Sequence, residues 1–164
     1  MLKWLLVGFM ALAFPAVASA ETFAIPSKNP VATVSFPDSW TVETLDTGVE
    51  AESKDGTLYI AIEAHELVDI KAAVMETIEY LQEHKVTVDP TSERKEDFKI
   101  GDLPATEFSW RGKDEDGPAN ISLTVVGLPS EKLLLITYWA TPEAEVKHQD
   151  ALTKIVGSIQ ATRR

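Results

Sequence analysis

Leu133-Leu134-Leu135-Ile136-Thr137-Tyr138-Trp139-Ala140, LLLITYWA, decides how this chain folds. Leu134, Ile136 and Tyr138 form one alternating set, and Leu133, Leu135 and Trp139 form the other. Successive residues of a strand point to opposite faces. A strand apolar in both sets is therefore buried on both faces, and something must cover each side of its sheet.

The neighbouring segments supply the sheet and its covers. Downstream, Thr141-Pro142 places a hydroxyl at an N-cap and proline at the first helical position. Leu152, Ile155, Val156 and Ile159 then mark the apolar stripe of a C-terminal helix. Upstream, strands are expected at 119–128, 105–110 and 92–100. Asp69 reads as the N-cap of an earlier helix whose inner face is Ile70, Val74, Ile78 and Leu81. Glu76, Glu79 and Glu83 lie on its wet side, and Asp89-Pro90 ends that region. Four more strands precede it, at 32–36, 40–45, 49–53 and 57–64. Turns separate them at Pro37-Asp38-Ser39, Asp46-Thr47-Gly48 and Lys54-Asp55-Gly56. Residues 21–30, with two prolines and no clean period, read as a leader segment. The expected fold class is α+β: an antiparallel sheet of six or more strands with a helix on each face, an α/β/α sandwich.

The first 20 residues, MLKWLLVGFMALAFPAVASA, have the organisation of a secretory signal peptide. Lys3 is the charged region, Leu5 to Phe14 the apolar run, and Ala18-Ser19-Ala20 the small-residue cleavage site. The run falls short of the roughly 20 apolar residues of a spanning helix. Cleavage after Ala20 would leave a single domain over 21–164, periplasmic or secreted, with no stable membrane insertion. Its charge would move from −11 to −12 with the loss of Lys3. That balance disfavours nucleic acid and anionic lipid as partners. The chain has no cysteine, which removes disulfide, thiol and cysteine-lipid chemistry.

Three stretches carry a resemblance. Val34-Ser35-Phe36-Pro37-Asp38-Ser39-Trp40 sets an aromatic-Pro pair before a turn and a tryptophan. Gly101-Asp102-Leu103-Pro104-Ala105 is a Gly-x-x-x-Ala opening to a strand. Leu133 to Ile159 gives a closing strand, connector and helix ending in Val156-Gly157-Ser158-Ile159. In these and in the order of elements the chain resembles the PsbP-like superfamily, the fold of the photosystem extrinsic P subunit and of Ran-binding relatives. The resemblance implies a PsbP-like sandwich and a non-enzymatic accessory or binding role. No segment matches a photosystem-docking or Ran-binding element, so those functions do not carry over.

Chemistry-bearing motifs are few. Arg111-Gly112-Lys113-Asp114-Glu115-Asp116-Gly117-Pro118 has the acids of a calcium loop. With Gly117 at the sixth position, however, Gly112 and Leu123 fall where the first and bidentate last ligands belong. It reads as a hairpin turn over 112–117, with weak divalent-cation binding as the alternative. His65-Glu66-Leu67-Val68-Asp69 lacks the second histidine of the zinc motif H-E-x-x-H. His84 suits the negative end of its helix, and His148 lies on the rim of the C-terminal stripe. Trp40, Trp110 and Trp139 all sit in strand patterns and are expected in the core. No catalytic, cofactor-binding or metal-binding residue is assigned. The expected function is an exported, non-enzymatic binding protein of the cell envelope with a protein partner there. A small hydrolase using the scattered histidines and acids is the alternative, recognisable by a histidine bonded to a serine or an acid at the floor of a cleft.

Overall fold

The computed structural model describes residues 19–67, 70–115, 117–129 and 131–162, except the side chains of residues 70, 71 and 73. The apolar run of the signal peptide, the Asp69 cap, the Ile70 side chain of the helix stripe and Asp116 lie outside what is described.

The strands are β1 (Ala20–Ile25), β2 (Ala32–Pro37), β3 (Thr41–Thr44), β4 (Gly48–Glu52), β5 (Leu58–Glu66), β6 (Thr87–Val88), β7 (Arg94–Ile100), β8 (Leu103–Lys113), β9 (Pro118–Gly127), β10 (Lys132–Ala140) and β11 (Gln160–Ala161). The helices are α1 (Ile70–Glu83) and α2 (Pro142–Gly157). β10 lies inside an eight-stranded antiparallel sheet ordered β3-β4-β5-β10-β9-β8-β6, with β7 also paired to β8.

Leu133, Leu134 and Leu135 are each no more than 1% exposed, as a strand apolar in both alternating sets requires. Leu134, Ile136 and Tyr138 join the main core with Ile60 and Ile62 of β5 and Ile155 of α2. Leu133 and Leu135 pack with Leu123 of β9, and Val74 of α1 lies against them. Leu81 of α1 packs with Val86, Ala119 and Ile121, and Trp139 borders that cluster. The third stripe residue of α1, Ile78, is 41% exposed, so this helix covers its part of the sheet thinly.

The residues read as a leader are in fact a strand. β1 pairs antiparallel with β2, Phe23 opposite Val34 and Ile25 opposite Ala32. β11 pairs with the other edge of β2, making a separate three-stranded sheet. Phe23 and Ile25 alternate inward, and the Phe23 ring meets Phe36 edge-on at 6.0 Å. The two prolines flank a turn closed by the Val31 N–H bonding the Ile25 carbonyl at 2.8 Å, so they bound the strand rather than break it. The layer over the main core thus comprises α2 and a small sheet.

Thr141 caps α2 as expected, its hydroxyl accepting the Ala144 N–H at 3.1 Å, with Pro142 in the first turn. Within the 112–117 stretch Gly112 and Lys113 end β8, and Asp114 and Gly117 close the turn of the β8–β9 hairpin. The Asp114 N–H bonds the Gly117 carbonyl at 2.9 Å, and the Asp114 carboxylate accepts the Gly117 N–H at 3.1 Å. Glu115 pairs with Lys85.

Candidate ligand-binding cleft

Period-two alternation on β7, β8 and β9 sends one polar set to the side of the sheet that carries α2. On β8 the sequence of that set is Ala105, Glu107, Ser109, Arg111. On β9 the register places Val126, Thr124, Ser122 and Asn120 opposite them. α2 lies over β9, β10 and β5 and does not reach across β8. The gap beside it forms two adjoining cavities that share Glu107, Ser122, Tyr138 and Glu145 in their walls.

The first cavity, about 460 Å³, is the more apolar. Phe98, Ile100, Ile136, Leu152 and Val156 line it. The second, about 330 Å³, is polar and is lined by Arg94, Ser109, Arg111 and Asn120 among others. Ser122 and Thr124 are 7% and 6% exposed, although they belong to the polar set of their strand.

Tyr138 stands at the junction. Its side chain is 92% buried, and its hydroxyl makes no hydrogen bond within the chain. Burial is the chief force holding the phenol protonated, and the carboxylates of Glu145 and Glu107 add to it. Glu145 acts on the phenol both as a charge and as the nearest acceptor, but its Oε2 already accepts the Asn120 amide, and the approach to the phenol does not reach ordinary hydrogen-bond geometry. Glu107, Arg94 and Arg111 form no ion pair with any described residue. The cleft wall thus carries a hydroxyl sealed from solvent and without a hydrogen bond, and a carboxylate and two guanidinium groups outside any ion pair among the described residues.

The residues singled out from the sequence go elsewhere. His65 ends in β5 with Nε2 buried and without a hydrogen bond. His84 follows α1, and its Nδ1 meets the Tyr80 carbonyl at 2.9 Å, closing the helix end. Trp40 is buried, whereas Trp110 and Trp139 are half-buried. Trp139 stacks on Tyr59 at 4.0 Å, and the Trp110 indole N–H donates to Glu93 at 3.1 Å. The expectation of three core tryptophans therefore holds for Trp40 alone. The other two lie toward α1, whose cover is thin. Among the described residues no group of three His, Asp or Glu is gathered closely enough to hold a metal.

His148 does meet an acid. Its Nε2 lies 3.1 Å from Asp55 Oδ1, at the edge of a cavity of about 1040 Å³ beside Trp40. Asp55 also accepts from Lys147 at 2.6 Å, Ser53 at 2.6 Å and Thr57 at 2.8 Å. No described serine hydroxyl bonds a histidine nitrogen. The pair fastens the β4–β5 turn to α2. The Lys147 bond, aided by Ser53 and Thr57, holds the Asp55 carboxyl far below its ordinary value of 3.8. A depressed carboxyl contributes stability that is whole above its unfolded pKa and fades as pH falls below it. Asp55→Asn should therefore lower the urea midpoint at about pH 6, and the gap to wild type should narrow below about pH 4. A gap that stays constant down to about pH 3 would contradict this role.

The cleft residues were missed because their convergence crosses four strands and a helix. One signal was present. Glu107, Ser109 and Arg111, and Asn120, Ser122 and Thr124, continue the same alternating sets that turn apolar at Ala105 and Val126.

No protein-family model matches the sequence, and no curated protein matches it. Solved structures do match. The solution structure of cyanobacterial PsbP (CyanoP) from Synechocystis sp. PCC 6803 superposes with a TM-score of 0.59 at 10% identity, covering 90% of this chain and 95% of that one. The crystal structure of LpqN, described as involved in cell envelope biogenesis of Mycobacterium tuberculosis, gives 0.54 at 13% identity over 88% and 92%. A protein from Bacteroides thetaiotaomicron gives 0.58 at 14% identity, covering 88% of this chain and 49% of the other. At such identities the likeness carries the fold alone, and it is the fold that the 34–40, 101–105 and 133–159 stretches pointed to: this chain has a PsbP-like fold.

Proposed function

We propose that the protein is an extracytoplasmic accessory component of the cell envelope that binds a small ligand in the Tyr138 cleft and catalyses nothing. One observation carries this reading: on Tyr138, a residue 8% exposed, a phenol hydroxyl sealed from solvent and without a hydrogen bond, where an apolar and a polar cavity meet. A buried polar group left unpaired costs about 1–3 kcal/mol, and such groups are few in a folded chain. A ligand that accepts the hydroxyl proton would remove that cost. The signal-peptide pattern of residues 1–20 and the likeness to LpqN support an envelope location. The layering that supports it is an α/β/α sandwich over 21–164, with α2 and the small sheet on one side and α1 on the other. A hydrolase is not favoured, because Asp55 is tied to Lys147 and to the hydroxyls of Ser53 and Thr57, and no described serine hydroxyl bonds His148.

The test is recovery of bound compound. Protein purified gently from its own envelope fraction is denatured, and the small molecules released are identified by mass spectrometry. Wild type should release a compound that Ser109→Trp, which fills the polar cavity, does not. Tyr138→Phe should melt no lower than wild type, because it deletes an unsatisfied hydroxyl, yet should release less of the compound. Equal release from Ser109→Trp and wild type would sink the reading, as would a marked fall in the melting point of Tyr138→Phe.

A further inference from the structure

The charges around the cleft are ordered along β8. Its apolar end lies at Ala105, with Phe98 across the ladder. Glu107 comes next, facing Glu96 directly on β7, with Glu145 of α2 also in the wall. Ser109 follows, facing Arg94, and Arg111 stands beyond it. Glu96 and Glu107 are like charges in directly opposed positions, an arrangement that destabilises a sheet unless a cation intervenes. Arg94 is the diagonal neighbour of Glu107, about 7–8 Å away along the ladder, within reach of two long side chains. Even so the two do not close an ion pair. The order is hydrocarbon, negative charge, hydroxyl, positive charge.

We propose that the cleft takes a zwitterionic α-amino compound with an aliphatic side chain, as a free amino acid or a short peptide; this rests on the reading of the cleft as a ligand site. The ammonium group sits among Glu107 and Glu145 and relieves the repulsion from Glu96. The carboxylate faces Arg94 and Arg111, whose planar guanidinium groups suit it. The hydrocarbon lies in the 460 Å³ cavity against Ile100, Leu152 and Val156. Tyr138 donates its buried hydroxyl to a carbonyl or carboxylate oxygen of the ligand. A metal ion would use the acids alone and leave both arginines and the apolar cavity without purpose.

Titration calorimetry of the purified protein decides the matter with four probes: leucine, leucyl-leucine, 4-methylpentanoate (no amine) and 3-methylbutylamine (no carboxylate). One of the two zwitterions should bind, and which one separates the free amino acid from the peptide. Each single-charge analogue should bind at least about 10-fold more weakly, roughly the worth of one desolvated charge contact. Glu107→Gln should abolish the preference for leucine over 4-methylpentanoate, and Arg94→Met the preference over 3-methylbutylamine. Equal binding of leucine and 4-methylpentanoate overturns the proposal, as does failure of both zwitterions. If they fail while wild type still releases some other compound that Ser109→Trp does not, the ligand class is wrong and the site stands. If no cleft-dependent compound is released either, the site itself is wrong.

Discussion

Leu134→Ala and Leu135→Ala should each destabilise the protein by about 3–4 kcal/mol, read as a drop in urea midpoint with the slope unchanged. Adjacent residues of one strand face opposite sides, so in a sheet open on one side only one of the two would be costly. Here Leu134 is 0% and Leu135 1% exposed, in different apolar clusters. Each truncation removes buried methyl groups and leaves a cavity between a rigid sheet and its cover, which can collapse only in part. The main cluster around Leu134 is larger, and it is closed by α2 and β2. The cluster around Leu135 has the half-buried Val74 as its helical neighbour. If the two costs differ, Leu135 should be the cheaper. A cost for Leu135→Ala within the usual surface range of about 0.5 kcal/mol would mean that α1 does not cover this part of the sheet.

The second large effect lies in a residue with no side chain. Gly48 opens β4 against β5, and a Cβ built there would lie 2.0 Å from the Ile62 carbonyl oxygen and 2.8 Å from the Glu63 Cα. Both obstacles are backbone of β5, itself held by β10, so neither can swing aside as a flexible side chain would. Gly48→Ala should cost about 3 kcal/mol, the upper end of ordinary overpacking, or prevent folding in the hairpin region. Gly157→Ala is the control. A Cβ at the end of α2 meets nothing within 4 Å, so the change should be neutral or raise stability by up to about 1 kcal/mol. Equal effects at the two glycines would mean that the approach of β4 to β5 is looser than described.

What the sequence made legible follows from periodicity. β10, apolar in both sets, announced its double burial. Thr141-Pro142 announced the start of α2, and Asp55-Gly56 the β4–β5 hairpin. Pairing at long range was not legible. β11 is two residues long, and β1 was hidden by Pro26 and Pro30, since proline marks a break locally whatever the chain does on either side. Tyr138 and Trp139 were both expected to be deeply buried. Tyr138 is, but Trp139 is only half-buried, because its burial depends on how closely α1 approaches, and Ile78 shows that the approach is partial. The cleft was the least legible of all. Polar residues at alternating strand positions ordinarily mean solvent. Only the tertiary placement of α2, stopping short of β8, turns Ser122 and Thr124 into buried walls and leaves the Tyr138 hydroxyl without a bond.

The small sheet imposes an order of assembly. β2 holds β1 on one edge and β11 on the other, Ala32 opposite Ala161, and Thr162 adds an N–H bond to the Val31 carbonyl at 2.9 Å. Ile155 and Ile159 complete the core that Val34 and Phe36 begin. Local hairpins such as β4–β5 and β8–β9 can form and dissolve by themselves, but the main core has no lid until residues 32 and 161 are available together. Closing so long a loop is slow, and its entropic cost is met only when the last contacts form. Whatever hairpins have formed before it, the fold locks only once its late segments have joined its early ones.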